Sequence, residues 1–312
     1  MTTFENRVDL HCHTTASDGG LTPVGLVARA ADLNLEVLAI TDHDTTDGVP
    51  AALDEARRRR VTVVPGVEIS TVHGQEEIHI LGYFVDLGNA EFQALLTLTR
   101  QMRRERAEKM LARLANLGLA IQWERVVEIS GGTECIGRPH LAATLLEAGY
   151  VSSWNEAFDL WIGRGRPAYV ERYKLEPEEA VRLVRRSGGL PVLAHPTIYN
   201  RNGECKVSLD LLRWLPRLRS AGLAGMEIYY PQYPRQTSQH LLALAIQHGL
   251  LITGGSDYHG GMVGRGPGSV AVPWAAWEGL ERRHRMMRKR VASQVPAQAE
   301  KAVYGSSSQG ST

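Results

Sequence analysis

Short apolar runs and longer amphipathic stretches alternate along the first part of this chain. Residues 7–13 have a strand-like pattern, and Thr22 with Pro23 supplies a cap and a first-turn proline for a helix running to Leu33. Residues 37–41 form an apolar strand that ends in Asp42, His43 and Asp44. A helix is predicted over 47–59, a β-branched strand over 61–64 ending near Glu68, and a further strand over 78–85. This succession predicts βαβ units with a parallel or mostly parallel sheet, and hence an α/β fold.

After Asp86 the period becomes helical. Leu95, Leu96, Leu98, Met102, Met110, Leu111 and Leu114 build an apolar stripe along 92–117, and further helices are predicted over 139–148 and 154–162. No strong strand signal intervenes, so residues 89–168 read as a helical insertion. Alternation then returns: helix 177–186, strand 191–194 ending at His195, helix 209–220, strand 225–230, helix 236–248, and strand 250–254 before Asp257. An arginine-rich helix follows over 274–290. The expected organisation is a first barrel segment (1–88), the insertion as a substrate cap (89–168), a second barrel segment (169–293) and a tail (294–312) too poor in core formers to be ordered.

Composition narrows the class without naming it. The chain has 312 residues, 43% hydrophobic and 22% charged, enough for a buried core, and no apolar run approaches the roughly 20 residues that a membrane span needs. The start lacks the basic and apolar regions of a secretory signal, so a cytoplasmic location is expected. Cys12, Cys135 and Cys205 are odd in number and show no paired spacing, which argues against a disulfide framework. A formal charge of +1 gives no global pull toward polyanions, so neither duplex DNA nor a membrane is an expected partner. The basic stretches 57–60, 100–109 and 282–290 read mostly as solvated helix faces.

The chemistry lies at the strand ends, which carry nine potential metal ligands: His11, His13, Asp18, His43, Glu68, His79, His195, Asp257 and His259. In the motif Asp9-Leu10-His11-Cys12-His13, residues i and i+2 share a strand face, so two imidazoles can reach one ion while Asp9 orients or ligates. Cys12 is then turned to the opposite face and expected to pack. Asp18 beside Gly19 and Gly20 is a turn residue or a ligand; Asp44 caps the next helix or contacts metal. Glu68 can bridge two cations through its two oxygens, and His79 interrupts an apolar run. His195 precedes Pro196, which favours an extended strand end, and Asp257 and His259 sit in a glycine-rich loop. Ends of separate strands converge on one mouth of an α/β barrel, the face on which such folds carry out chemistry. The expectation is a multinuclear metal-dependent phosphoesterase.

Taken in order, DLHCH with SDG, TDHD, PGVE, IHILGY, GRPH, LAHP and GGSDYHG resemble the PHP (polymerase and histidinol phosphatase) superfamily. The resemblance implies a distorted (β/α)7 TIM-like barrel and up to three divalent metal ions, Mn²⁺ first among the expected metals, with Fe²⁺ and Zn²⁺ also suited to imidazole and carboxylate ligands. By resemblance, His11, His13, Glu68 and Asp257 surround one metal, Glu68, His79 and His195 a second, and Asp18, His43 and His259 a third. Such a centre would neutralise phosphate oxygens and activate water for in-line attack, with Asp257, His259 and His43 as the catalytic candidates. Arg138 and His140 of GRPH are the preferred phosphate clamps, with Arg166 and Lys174, like Arg164, weaker candidates. Arg138 could equally pair with an acid, and His140 could simply begin a helix. GRPH and GRGRPAYV look most like the branch containing nucleoside 3′,5′-bisphosphate phosphatases and 5′-to-3′ exoribonucleases, so the expected substrate is a small phosphorylated nucleotide or short RNA. The alternatives are a histidinol-phosphatase-like monoesterase and a noncatalytic metal- or RNA-binding module.

Overall fold

The computed structural model describes residues 7–74, 76–133, 135–171, 175–199, 205–207, 209–231, 233–260 and 266–294. Lys174 and the tail beyond Gln294 lie outside the described residues.

Seven strands form one sheet, in the order β1 (Val8–Asp9), β2 (Val37–Ile40), β3 (Thr62–His73), β4 (Glu76–Tyr83), β5 (Leu190–Leu193), β8 (Gly225–Tyr229) and β9 (Leu251–Gly254). Two short strands, β6 (Thr197–Tyr199) and β7 (Cys205–Val207), make a separate antiparallel ribbon that the pattern did not signal. The Leu10 N–H donates to the Gly254 carbonyl at 3.1 Å and the His13 N–H to that of Tyr258 at 3.0 Å, which joins the last strand to the first and closes the barrel. Gly255 makes that closure possible, because a Cβ there would lie 2.4 Å from the His11 amide nitrogen.

The fold is therefore the distorted seven-stranded α/β barrel, with one departure from a parallel sheet: β4 runs antiparallel to both β3 and β5. The strand read as 61–64 continues to His73, because Pro65 keeps its pairing with Ile40 and Gly66 fits between the Ile40 and Gly82 carbonyls. Helices α1 (Pro23–Asp32) and α2 (Val49–Ala56) pack outside β2 and β3. The cap of α1 is as expected, with Thr22 Oγ1 accepting from the Gly25 N–H at 3.0 Å.

Between β4 and α7 (Pro177–Arg186) come α3 (Ala90–Asn116), α4 (Trp123–Ile129), α5 (Arg138–Glu147), α6 (Trp154–Ala157) and a π-helical turn (Phe158–Ile162), with no strand among the described residues. Met110, Leu114, Val126, Leu141, Leu145 and Ile162 form a buried cluster of their own there. Two contacts tie the loop before α5 to the barrel: Thr133 Oγ1 donates to the Ala16 carbonyl at 2.6 Å and the Cys135 thiol to that of His43 at 2.7 Å. The remaining helices are α7 (Pro177–Arg186), α8 (Leu209–Ala221), α9 (Arg235–Gln247) and α10 (Trp274–Gln294). Trp277 and Leu280 of α10 pack with Leu10, Leu81 and Val192 in the barrel core. No described helix is long and apolar enough to cross a membrane.

Candidate metal centre

Glu68 is the hub of a buried cluster that gathers all nine strand-end candidates. It is completely buried on β3, where its amide N–H donates to the Asp42 carbonyl and its own carbonyl accepts from the Asp44 N–H. The two carboxylate oxygens face different imidazoles. Oε1 lies 2.9 Å from His79 Nδ1 and 3.0 Å from His195 Nε2, while Oε2 lies 3.3 Å from His11 Nε2, 3.1 Å from His13 Nε2 and 3.1 Å from His43 Nδ1.

Asp257 Oδ1 closes the first group, 3.2 Å from both His11 Nε2 and His13 Nε2. Asp18 Oδ1 lies 3.4 Å from His259 Nε2 and 3.7 Å from His13 Nδ1. Three sets of donor atoms lie within 4.8 Å of one another: His11, His13, Glu68 and Asp257; His13, Asp18, His43 and His259; and His43, Glu68 and His79. Compared with the sets implied by resemblance, that of His11, His13, Glu68 and Asp257 is identical, that of Asp18, His43 and His259 gains His13, and that of Glu68 and His79 holds His43 where His195 was expected. Asp257 (φ 49°) and His195 (φ 23°) adopt left-handed backbone, unfavourable for either residue and held here by the surrounding contacts.

The donor set fits divalent cations on physical grounds. His13 Nδ1, Asp18 Oδ1, His43 Nδ1, Glu68 Oε2 and Asp257 Oδ1 are buried, and none has a hydrogen-bond partner. Each such atom costs about 1–3 kcal/mol unless something satisfies it, so five converging on one volume call for a cationic partner. Imidazole and carboxylate together suit borderline divalent metals.

Without such an ion the groups satisfy one another by charge. Burial opposes ionisation of Glu68, Asp18 and Asp257, yet the surrounding histidines outweigh it and hold all three well below the ordinary carboxylate range. Burial alone would lower His259, but Asp18 and Asp257 push it up to about 10. His11, His13 and His195 are raised against burial in the same way, whereas burial keeps His43 well below its usual value.

Two residues that shape the site, Glu227 and Tyr230, were not singled out in the sequence. Glu227 on β8 is fully buried; its Oε1 lies 3.0 Å from His11 Nδ1 and its Oε2 accepts the His195 N–H at 2.8 Å. The Tyr230 hydroxyl donates to Asp257 Oδ2 at 2.8 Å, which leaves Oδ1 for the cluster. Asp42 accepts from the Thr14 N–H, the Thr14 hydroxyl and the Ser17 hydroxyl, each at 2.7 Å, bracing the loop that carries Asp18. Asp9 orients rather than ligates: it accepts the Ser256 N–H at 2.9 Å and the Gly268 N–H at 2.7 Å. Cys12 packs among Leu26, Val27 and Ile40, away from the histidines.

Two expectations are corrected. Asp44 does not cap α2, whose N-cap is Gly48; its Oδ1 accepts the Ser70 N–H at 2.8 Å and its Oδ2 pairs with Arg103. The stretch 100–109 is not simply a solvated face, because Arg103 turns inward to Asp44 and Ser70 Oγ, and Arg106 Nε donates to the Val170 carbonyl at 2.7 Å.

Of the phosphate candidates, Arg138 donates from Nη2 to Glu77 Oε2 at 2.8 Å, with its guanidinium 5.5 Å from the centre of the Phe158 ring. His140 is buried and accepts the Gly137 N–H through Nδ1 at 3.1 Å, capping the start of α5. Arg166 is exposed, and Arg164 pairs with Glu171 at 3.3 Å.

Residues 9–146 match the PHP domain. The 5′-3′ exoribonuclease Rnm of Salmonella typhimurium is 36% identical over 283 residues, spanning 86% of this chain and 93% of that protein. The 3′,5′-nucleoside bisphosphate phosphatase of Chromobacterium violaceum is 33% identical over 253 residues, spanning 81% and 87%. The structure of an amidohydrolase from Chromobacterium violaceum with bound sulfate superimposes with a TM-score of 0.80 at 32% identity, covering 89% of this chain and 96% of that one.

Proposed function

The chain belongs to the PHP domain family and is a metal-dependent phosphoester hydrolase, and from that premise we propose that it removes the 3′-phosphate of nucleoside 3′,5′-bisphosphates and shortens short 5′-phosphorylated RNA. The observation that carries the reading is the convergence, at the two-faced carboxylate of Glu68, of five buried donor atoms that lack a hydrogen-bond partner. The reading assigns three divalent cations to the three donor sets, Mn²⁺ first and Fe²⁺ or Zn²⁺ as alternatives. When bound, such cations supply Lewis acidity toward a phosphoryl group and its water nucleophile.

The chain's own residues supply orientation. Glu227 accepts the His11 Nδ1 proton and so presents the Nε2 lone pair to the cluster; the Asp257 carbonyl does the same for His259 by accepting its Nδ1–H at 2.9 Å. Tyr230, held in its protonated form by burial beside Asp257, stays a donor to that carboxylate. His43, Asp257 and His259 line the reacting volume in this reading. The helices of the insertion, α3 to α6, serve as the substrate cap, with Arg138 and His140 facing the phosphate. Arg138 is held by Glu77, next to the cleft that His79 and His195 also line, so a phosphate bound there competes with Glu77 for the guanidinium fork. The reading includes a cytoplasmic location, supported by the absence of paired cysteine spacing.

The test is a product analysis with Mn²⁺-loaded protein on adenosine 3′,5′-bisphosphate, a short 5′-phosphorylated RNA and histidinol phosphate. The proposal expects release of the 3′-phosphate and mononucleotides, with histidinol phosphate turned over least. Equal or faster turnover of histidinol phosphate would overturn the substrate assignment.

A further inference from the structure

A second concave site lies at the other end of the barrel. The amino-terminal ends of β5, β8 and β9, with α7, α8 and α10, enclose a cleft of about 600 Å³, within the range of small-molecule sites. Beyond their opposite ends β5 and β9 lead to His195 and Asp257 of the metal cluster, so this cleft is separate from the catalytic mouth.

Among the described residues five arginines line the cleft, Arg185 on α7, Arg219 on α8, and Arg282, Arg283 and Arg290 on α10, and no aspartate or glutamate does. Among the described residues none of the five is ion-paired. The same helices carry arginines that are: Arg186 with Glu91 at 2.7 Å, Arg217 with Glu178 at 2.9 Å and Arg285 with Glu281 at 2.9 Å. Acids are thus present on or near these helices and are missing from the cleft. The carboxyl-terminal turns of α7 and α8 explain part of the basic character, since each helix end carries roughly half a negative charge that Arg185 and Arg219 offset. The three cations of α10 remain in excess, and a crowd of like charges without counter-charge costs stability unless an anion joins it.

The floor differs from a plain basic surface because Leu223, Leu251 and Met287 supply an apolar wall. One side is shaped by Gly222, where φ is +109° and a Cβ would lie 2.4 Å from Arg185 Nη1. The Arg185 side chain therefore lies against the glycine backbone. A guanidinium against a glycine, further arginines around the same cleft and an apolar floor form a receptor for a phosphate-bearing ligand with a ring attached. The geometry points to a second, noncatalytic site that binds a nucleoside polyphosphate. The assignment is independent of which phosphoester the metal centre hydrolyses.

The test is calorimetric binding of adenosine 5′-diphosphate to the full chain in the presence of a chelator. Wild type, R219E/R282E, the milder R219Q/R282Q and the metal-centre variant H43A/D257A are compared, with folding checked by circular dichroism. The expected result is saturable binding by wild type and H43A/D257A, weakened about tenfold or more in both cleft variants. Undiminished binding in the cleft variants, loss of binding in H43A/D257A, or pyrophosphate binding as tightly as the nucleotide would each overturn the proposal. The first two outcomes would show that the nucleotide sits elsewhere, and the third that the apolar floor takes no part.

Discussion

At the scale of single residues, the account rests on which atom of each side chain faces inward. Glu227 never reaches the donor sets, yet it fixes the tautomer of His11 and the backbone of His195. We expect E227Q to fold normally and to bind Mn²⁺ about 10–100-fold more weakly, measured by competition with a chromogenic chelator. An unchanged affinity would mean that His11 needs no orienting partner. His259 gives a pH prediction for the metal-free protein. Its proton is held up to about 10 in the fold against an ordinary value of 6.5, so its contribution to stability is complete below about 6.5 and is lost as pH climbs through about 10. The denaturation midpoint of chelated protein should therefore fall across that window. Metal loading must displace the same proton, so adding Mn²⁺ to weakly buffered protein near pH 7.5 should acidify the solution. No proton release would contradict the assignment of His259 as a ligand.

At the scale of elements, the strand ends were legible because their polarity is abrupt. Val37 to Ile40 is uniformly apolar and buried, and Thr41, Asp42 and His43 follow without a spacer, which only a functional mouth explains. His11 and His13, which follow β1 in extended chain, were legible from the period of two, which also sent Cys12 to the outer core. Strand direction was not, since apolar patterning carries no sign; the antiparallel β4 emerges only from its pairing with β3 and β5. Glu227 was hidden as a single acid in a short strand, and Arg103 by its basic neighbours, which made α3 look like a solvated face. Arg103 couples the insertion to the barrel, because its side chain is 10% exposed and Asp44, its partner, is completely buried. R103A leaves that carboxylate buried without its cation, and the expected cost is about 3–5 kcal/mol in urea unfolding. A loss below about 1 kcal/mol, the scale of a surface pair, would show that solvent replaces the guanidinium.

At the scale of the whole molecule, closure at Gly255 brings β9 against β1, so that Asp257 meets His11 and His13 across the seam. Residues more than 200 positions apart in the chain thereby share one set of donors. Stability and activity are linked through this seam, since ions that bind only the closed arrangement favour the fold by mass action. The most direct test is inorganic phosphate release from adenosine 3′,5′-bisphosphate by exhaustively chelated protein as Mn²⁺ is restored, with bound metal counted in parallel. The account predicts no release from the metal-free protein and a rate that rises as the donor sets fill. Release at full rate in the presence of chelator, or none from protein carrying its full complement of metal, would contradict it.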